Sequence, residues 1–285
     1  MSSASIGILA GIGQLPVLAA QSGKAKGLRC VVVSLFPDDN PELKVYADAY
    51  YQADPSRLGE IIEIFQREGV TELVLLGKVT KELLYSDFRP DAAWLSLLQK
   101  VENKSDDALL FAVVQEFAAY GIKVLPQNYL FKDLLARPGV YTRRKPTPEE
   151  LQDLFFGYPQ AKVIAGLDIG QTLVVSGGAV MAVEAIEGTN QAILRGGELA
   201  RGSVTVIKVA KPAQDQRFDI PTIGYDTVES VVRAGGGVIA VEAGKVFFVE
   251  RAKALEYAEA HSVCICAFNP EAARVGRAER LWEEE

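Results

Sequence analysis

The sequence predicts an α/β protein in two parts, a helix-covered parallel sheet over residues 1–135 and a mixed α+β domain over residues 136–285, and three observations carry this reading. In the first half, short β-branched and aliphatic runs alternate with segments of helical period, the pattern of a parallel sheet. In the second half, strand-like runs crowd together with fewer helical segments between them. Between these halves the texture changes: "RPGVYTRRKPTPEE" packs three prolines, a glycine and four basic residues into fourteen positions. A chain of 285 residues also exceeds one small core, so two domains of about 130 to 150 residues are expected.

The expected strands of the first part are "SIGILAG" (5–11), "RCVVVSLF" (29–36), "TELVLLGKV" (71–79) and "IKVLPQ" (122–127). One helix, "DPSRLGEIIEIFQREG", should open on Asp54 as N-cap and stop at Gly69. Another, "SDDALLFAVVQEFAAYG", should open at Ser105 or Asp106 and stop at Gly121, with Phe111, Val114, Phe117 and Ala118 as its core stripe. The loop after the first strand, "GILAGIGQLP", carries Gly11-x-Gly13, the beginning of a dinucleotide fingerprint, so this part reads as Rossmann-like. Pro16 stands in place of the third glycine, and acids follow the second strand only as Asp38 and Asp39 after a proline. A nicotinamide enzyme is therefore disfavoured, and the loop either meets a nucleotide's phosphate or simply turns tightly.

In the second part Thr147 opens a helix with Pro148 first and Glu150 three residues on, a capping box. Strands are expected at 171–178, 179–188, 203–211, 237–244, 245–250 and 262–268, and residues 269–285 read as a polar tail. "GGAVMAVEA" (177–185) and "GGGVIAVEA" (235–243) echo one another, which suggests equivalent places for Glu184 and Glu242.

Thirty basic residues against thirty-seven acidic give a net charge of −7, and the only basic cluster is the short "TRRK", so a nucleic-acid partner is not expected. Apolar runs fall well short of the roughly 20 residues needed to span a bilayer, and the N-terminus lacks the basic lead of a signal peptide. A cytoplasmic protein is expected. Cys30, Cys264 and Cys266 sit in apolar strand-like runs and read as reduced core thiols. No phosphate-binding Gly-x-x-x-x-Gly-Lys-Ser/Thr loop occurs. The one histidine, His261, reads as a helix-end residue, which removes histidine-based triads and histidine-rich metal centres.

Carboxylates are the chemistry that is left. "QDQRFDIPTIGYDTVE" (214–229) holds Asp215, Asp219 and Asp226. Asp226, beside "TVESVV", reads as a helix N-cap. Asp219 lies between Phe218 and Ile220, where a charge needs a partner or a metal, and Mg²⁺ suits such oxygen ligands because substrate phosphate and water complete its shell. "VEAIEGTNQAILRGGEL" adds Glu184, Glu187, Thr189, Asn190 and Arg195. Glu187-Gly-Thr either presents a carboxylate and a helix N-terminus to one phosphate or contains an ordinary Thr189 N-cap.

"GILAGIGQLP", "LGKVTKE" (76–82), "KSDDALL" (104–110), "LDIGQTLVV" (167–175), "AVEAIEGTNQAILR" (182–195) and "KPAQDQRFDIPTIGYDTVE" (211–229) occur in this order over nearly the whole chain. Together they resemble the UDP-2,3-diacylglucosamine pyrophosphatase family of the LpxI type. The resemblance implies a Mg²⁺-dependent hydrolase that cleaves UDP-2,3-diacylglucosamine to 2,3-diacylglucosamine 1-phosphate (lipid X) and UMP in lipid A biosynthesis. It implies two domains and a catalytic aspartate in the C-terminal one, matched at Asp219 with Asp215 as competitor. Along the same motifs it points to substrate contacts at Gly11, Gly13, Gln14, Lys78, Gln171, Glu187, Gly188, Thr189 and Thr222, and to Asp219, Asp215 and Glu187 as metal ligands. A homodimer and peripheral contact with the inner membrane are compatible with it. The chain departs from the family pattern at Asn190, where aspartate is expected, which weakens any metal role there. The rival from another class is a non-catalytic nucleotide-sugar or lipid-binding module whose aspartates only cap loops.

Overall fold

A computed structural model describes residues 4–36, 40–79, 89–101 and 106–284. Asp38, Asp39, Lys104, Ser105 and the Thr-Lys-Glu of 80–82 lie outside the described residues. The chain forms two compact units, one of residues 1–132 with 215–218 and one of residues 133–214 with 219–285.

The first unit holds a five-stranded parallel sheet: β1 (Ser5–Ala10), β2 (Arg29–Ser34), β3 (Ala49–Gln52), β4 (Glu72–Leu76) and β5 (Lys123–Val124), in the order β3-β2-β1-β4-β5. This is the expected Rossmann-like parallel sheet, with one strand, β3, that the sequence pattern did not announce. The helix Leu58–Arg67 starts later than Asp54, because Asp54 Oδ1 accepts the Ser56 amide two residues on and closes a turn instead. In the helix Asp106–Ala119, Val113, Val114 and Phe117 are buried, whereas Phe111 and Ala118 are exposed. Phe111 instead lies under the Arg217 guanidinium, 5.5 Å from its ring centre. The core of this unit also takes in Phe218, from the distant segment 215–218.

The switch point of this sheet lies between β1 and β4. There Gly11 donates its amide to Leu76 and Ile12 exchanges both backbone bonds with Lys78. Gly77, at φ +87°, approaches so closely that a Cβ would stand 2.7 Å from the Gly11 carbonyl carbon. The loops after the two strands are thus laced backbone to backbone.

The second unit is built on a six-stranded mixed sheet: β6 (Gly139–Val140), β7 (Thr172–Ser176), β8 (Ala179–Val183), β9 (Val204–Lys208), β11 (Gly237–Glu242) and β13 (Cys264–Phe268), in the order β6-β13-β11-β9-β7-β8. β9, β11 and β13 are parallel, and β7 runs antiparallel to both its neighbours. A separate pair, β10 (Thr222–Ile223) and β12 (Phe247–Phe248), is parallel. Period two sorts the strands onto two faces. Val174, Val206, Ile239 and Ile265 meet the helices Thr189–Ala200, Tyr225–Arg233 and Arg251–Ala260, while Leu173, Ile207, Ala240, Cys264 and Cys266 meet the helix Pro148–Gly166. All three cysteines are free and buried.

Thr147 and Glu150 form the expected capping box, on a helix of 19 residues. Asp226 is no cap: the N-cap is Gly224, and Asp226 lies in the first turn, where its charge still suits the helix dipole. The residues from 269 onward are no loose tail. Asn269 caps the helix Pro270–Arg274, and Leu281 is fully buried against the sheet with Ala272 and Ala273. The two echoing segments do not form a repeat, since β8 is an antiparallel edge and β11 a central parallel strand. No described helix is long and apolar enough to cross a membrane.

Candidate active site

β9 is buried along its whole length and ends on a charge, Lys208. Alternation places Lys208 on the face of Val204 and Val206, the face covered by the helix Thr189–Ala200. An ammonium buried there must be answered locally. Its Nζ donates to Thr189 Oγ1 at 2.6 Å and to Thr172 Oγ1 at 3.1 Å, and stands 3.7 Å from Glu184 Oε2. Thr189 in turn donates to Glu184 Oε1 at 2.8 Å. Thr189 is therefore not a cap but the first helical residue, with its hydroxyl spanning a buried ion pair, and the N-cap is Gly188 at φ +80° with no side-chain cap.

Burial opposes charge on both members of this pair. Desolvation pushes Lys208 below the ordinary lysine value, against the pull of Glu184 and Asp219. Desolvation also works against ionised Glu184, yet Lys208 and the bonds from Thr172, Thr189 and the Gln171 amide hold its carboxyl below the usual range.

Three residues beyond Lys208 stands Lys211, with little of its side chain exposed. Its Nζ lies 2.7 Å from Asp168 Oδ1 and 3.3 Å from Asp219 Oδ2. Both aspartates sit in the left-handed backbone region, at φ +58° and +62°, which non-glycine residues rarely adopt. Asp168 follows the helix Pro148–Gly166, and Asp219 follows Phe218. Gln214 joins the ends of this loop: its Oε1 accepts the Lys211 amide and its Nε2 donates to the Asp219 carbonyl at 2.7 Å. Gln171 Nε2 donates to Asp219 Oδ2 at 3.2 Å. The backbone beside Gln171 is fixed because Gly170 packs on the Glu184 carbonyl, where a Cβ would come within 2.1 Å.

A second ion pair holds the chain just before Lys211. Glu242, the last residue of β11, receives Lys162 Nζ at 3.0 Å and the Ala210 amide at 3.0 Å, while Lys162 also donates to the Ala210 carbonyl. Glu184 and Glu242 thus do share one property, a lysine partner at the end of a strand. Lys208 and Glu242 mark the carboxyl ends of parallel strands, the edge at which open α/β sheets place their ligands.

The three carboxylates expected at a metal are answered by three different basic partners. Asp215, in the first unit, is bonded through both oxygens to Arg217, at 2.9 and 2.5 Å, and this pairing lowers its pKa. Glu187 is paired with Arg195 at 2.5 Å, which lowers it likewise. Asp219 faces Lys211. Among the described residues no group of three or more His, Cys, Asp or Glu side chains is placed to hold a metal ion. Of the expected substrate contacts, Gln171 joins Asp219, and Gly188 and Thr189 open the neighbouring helix. Thr222 donates its hydroxyl to the Ile220 carbonyl at 3.1 Å. Gly11, Gly13, Gln14 and Lys78 belong to the first unit, where Gly11 and Lys78 spend backbone groups on the loop pairing at the switch point. His261 stands at a helix end against Tyr257, as the sequence suggests.

Asp168, Lys208, Lys211 and Gln214 stand in this cluster around Asp219 and Glu184, and the sequence reading did not single them out. A lysine ending an otherwise apolar strand, repeated three residues later in "IKVAK", was the available signal.

The N-terminal domain model of the LpxI family matches residues 5–134 and its C-terminal domain model matches residues 137–266. The chain is 31% identical over 277 residues to a protein of Caulobacter vibrioides named UDP-2,3-diacylglucosamine pyrophosphatase LpxI, covering 93% of this chain and 98% of that relative. Among solved structures, the biotin carboxylase subunit of a pyruvate carboxylase is 13% identical at a TM-score of 0.27, covering 69% of this chain and 41% of its own. Biotin carboxylase of Campylobacter jejuni is 17% identical at the same TM-score, covering 69% and 42%. With both domains matched in order, and a relative aligned along nearly its full length, the chain belongs to the LpxI family.

Proposed function

We propose that this protein hydrolyses the pyrophosphate bond of UDP-2,3-diacylglucosamine, releasing UMP and 2,3-diacylglucosamine 1-phosphate for lipid A biosynthesis. Membership of the family supports the substrate, and the observation that carries the chemistry is Asp219, held on a strained turn with Oδ2 facing both Gln171 Nε2 and Lys211 Nζ. Asp219 accepts the proton of the attacking water as oxygen bonds to phosphorus, and the bridging oxygen leaves with the other phosphate. Lys208 and Lys211, near the carboxyl end of β9, give the anionic substrate a positive setting.

Magnesium is part of this proposal. The donor set fits an ion that takes most of its shell from substrate phosphate and water, with Asp219 as the protein carboxylate, and does not fit one enclosed by protein alone. Such an ion would offset the charge of the pyrophosphate. Asp215 and Glu187, each paired with an arginine, have no ligand role in this proposal.

Incubation with detergent-dispersed UDP-2,3-diacylglucosamine and Mg²⁺ should yield UMP and the lipid phosphate in equal amounts, and EDTA should stop the release. Binding without any turnover would reject the proposal in favour of a non-catalytic binding module.

A further inference from the structure

We propose that Lys211 is a catalytic residue of this reaction, a cation that touches the reacting pyrophosphate, and that Asp168 is the positioning residue that aims it. The inference rests on the hydrolase reading above and adds two residues to it.

Two aspartates in the left-handed backbone region, 51 positions apart in sequence, converge on a single ammonium. Asp168 takes that backbone as the residue that stops the helix Pro148–Gly166, with its amide on the Ala165 carbonyl and the Ile169 amide on the Ile164 carbonyl, whereas Asp219 lies outside any helix or strand. An exposed ion pair at this place would contribute little. Lys211, however, is mostly buried, at 11% side-chain exposure, while Asp168 and Asp219 are 40% and 44% exposed. The lysine is thus largely buried beside two part-exposed carboxylates.

The chain around it is fixed from both sides. Gln214 ties the Lys211 amide to the Asp219 carbonyl, and the Glu242–Lys162 pair grips both backbone groups of Ala210. Here the shorter of the two lysine contacts goes to Asp168, and Asp219, at 3.3 Å, shares its Oδ2 between Lys211 and Gln171. That asymmetry suits a cation anchored by Asp168 and shared with the residue that takes the proton. When the bridging P–O bond breaks, the leaving oxygen gains negative charge, and an ammonium already in place stabilises it without reorganisation. No atom of Lys211 is transferred.

The test is steady-state UMP release by the full chain with Mg²⁺ and detergent-dispersed substrate, comparing the parent with Lys211→Met, Lys211→Arg, Asp168→Asn and the double Asp168→Asn/Lys211→Met. Lys211→Met should lower kcat by about 10²–10³-fold, the usual loss for a preorganised charge stabiliser, and change KM by less than about threefold. Lys211→Arg should recover at least about tenfold of that loss. Asp168→Asn should lower kcat about 5–30-fold, and the double variant should match Lys211→Met, because Asp168 acts through the lysine. Should Lys211→Met not fold, an Asp168→Asn variant with parental kcat overturns the proposal and one with the expected fall upholds it. Parental kcat in a folded Lys211→Met variant, or effects that multiply in the double variant, overturn the proposal while the hydrolase reading stands. A parent that releases no UMP overturns the hydrolase reading and this proposal with it.

Discussion

Lys208 Nζ donates to Thr189 Oγ1 at 2.6 Å, so the first residue of the helix Thr189–Ala200 is fastened to the end of β9 through its hydroxyl. The same hydroxyl donates onward to Glu184, and its hydrogen-bonding is committed on both sides. Thr189→Val keeps the shape and removes the bridge, leaving Lys208 and Glu184 each one hydrogen bond short. Its stability should fall by about 1–3 kcal/mol by urea titration, and Thr189→Ser should restore most of it.

Glu184 sets a pH dependence. Its folded pKa lies below the ordinary 4.5, so as pH falls the unfolded chain takes up its proton first. The stability it contributes is fully present above about pH 4.5 and is lost as pH drops through the lower folded value. Glu184→Gln, which leaves Lys208 buried without its counter-ion, should cost about 3–5 kcal/mol near neutrality. Melting curves of parent and variant between pH 7 and pH 3 should draw together on the acid side; a constant gap would refute the assignment.

Asp215 and Asp219 should separate cleanly in kinetics. Asp219→Asn is expected to lower the UMP-release kcat by about 10²–10⁴-fold, the range for a proton acceptor in the reacting position. Asp215, engaged by Arg217 through both oxygens, should tolerate Asn within about threefold, as expected for an ion pair of structural role. Equal losses in the two variants would move Asp215 back into the chemistry.

Gly77→Ala probes the laced loops of the first unit. Alanine at φ +87° carries about 1–3 kcal/mol of backbone strain, and the added methyl also meets the Gly11 backbone at 2.7 Å. A lowered melting temperature is expected, with faster amide exchange at Ile12 and Lys78 as the local signature.

The legible parts of the fold were those written in local pattern. β1, β2, β4, β7, β9, β11 and β13 are β-branched or aliphatic runs, and Thr147 with Glu150 is a cap that needs only four residues. β3, "AYYQ", is a short aromatic strand beside polar residues and has no such run. Asp54 and Asp226 misled for one physical reason: a carboxylate before a helical segment can bond an amide two residues on or sit inside the first turn as readily as cap it. At the site, Asp219 could be singled out because it lies in a specific motif. Gln171, which bonds it, lies in another such motif, but Asp168 and Lys162 could not be singled out, since Asp168 meets Lys211 across 43 positions and Lys162 meets Glu242 across 80, distances at which no spacing rule operates.

Phe218 is 4% exposed in the core of the first unit, so Phe218→Ala should cost about 3–5 kcal/mol, read by calorimetry as a loss in the transition of that unit. The strip that carries it, Asp215–Phe218, has a practical meaning for handling the protein. Because the chain passes from unit to unit at three places, a protease cut near residue 133 would nick the molecule without parting it. A gene fragment ending at Lys132 would encode a sheet with an open socket where Phe218 belongs, prone to stick to itself. Supplying the missing "DQRF" as a short grafted tail is the remedy that the chain's own routing suggests.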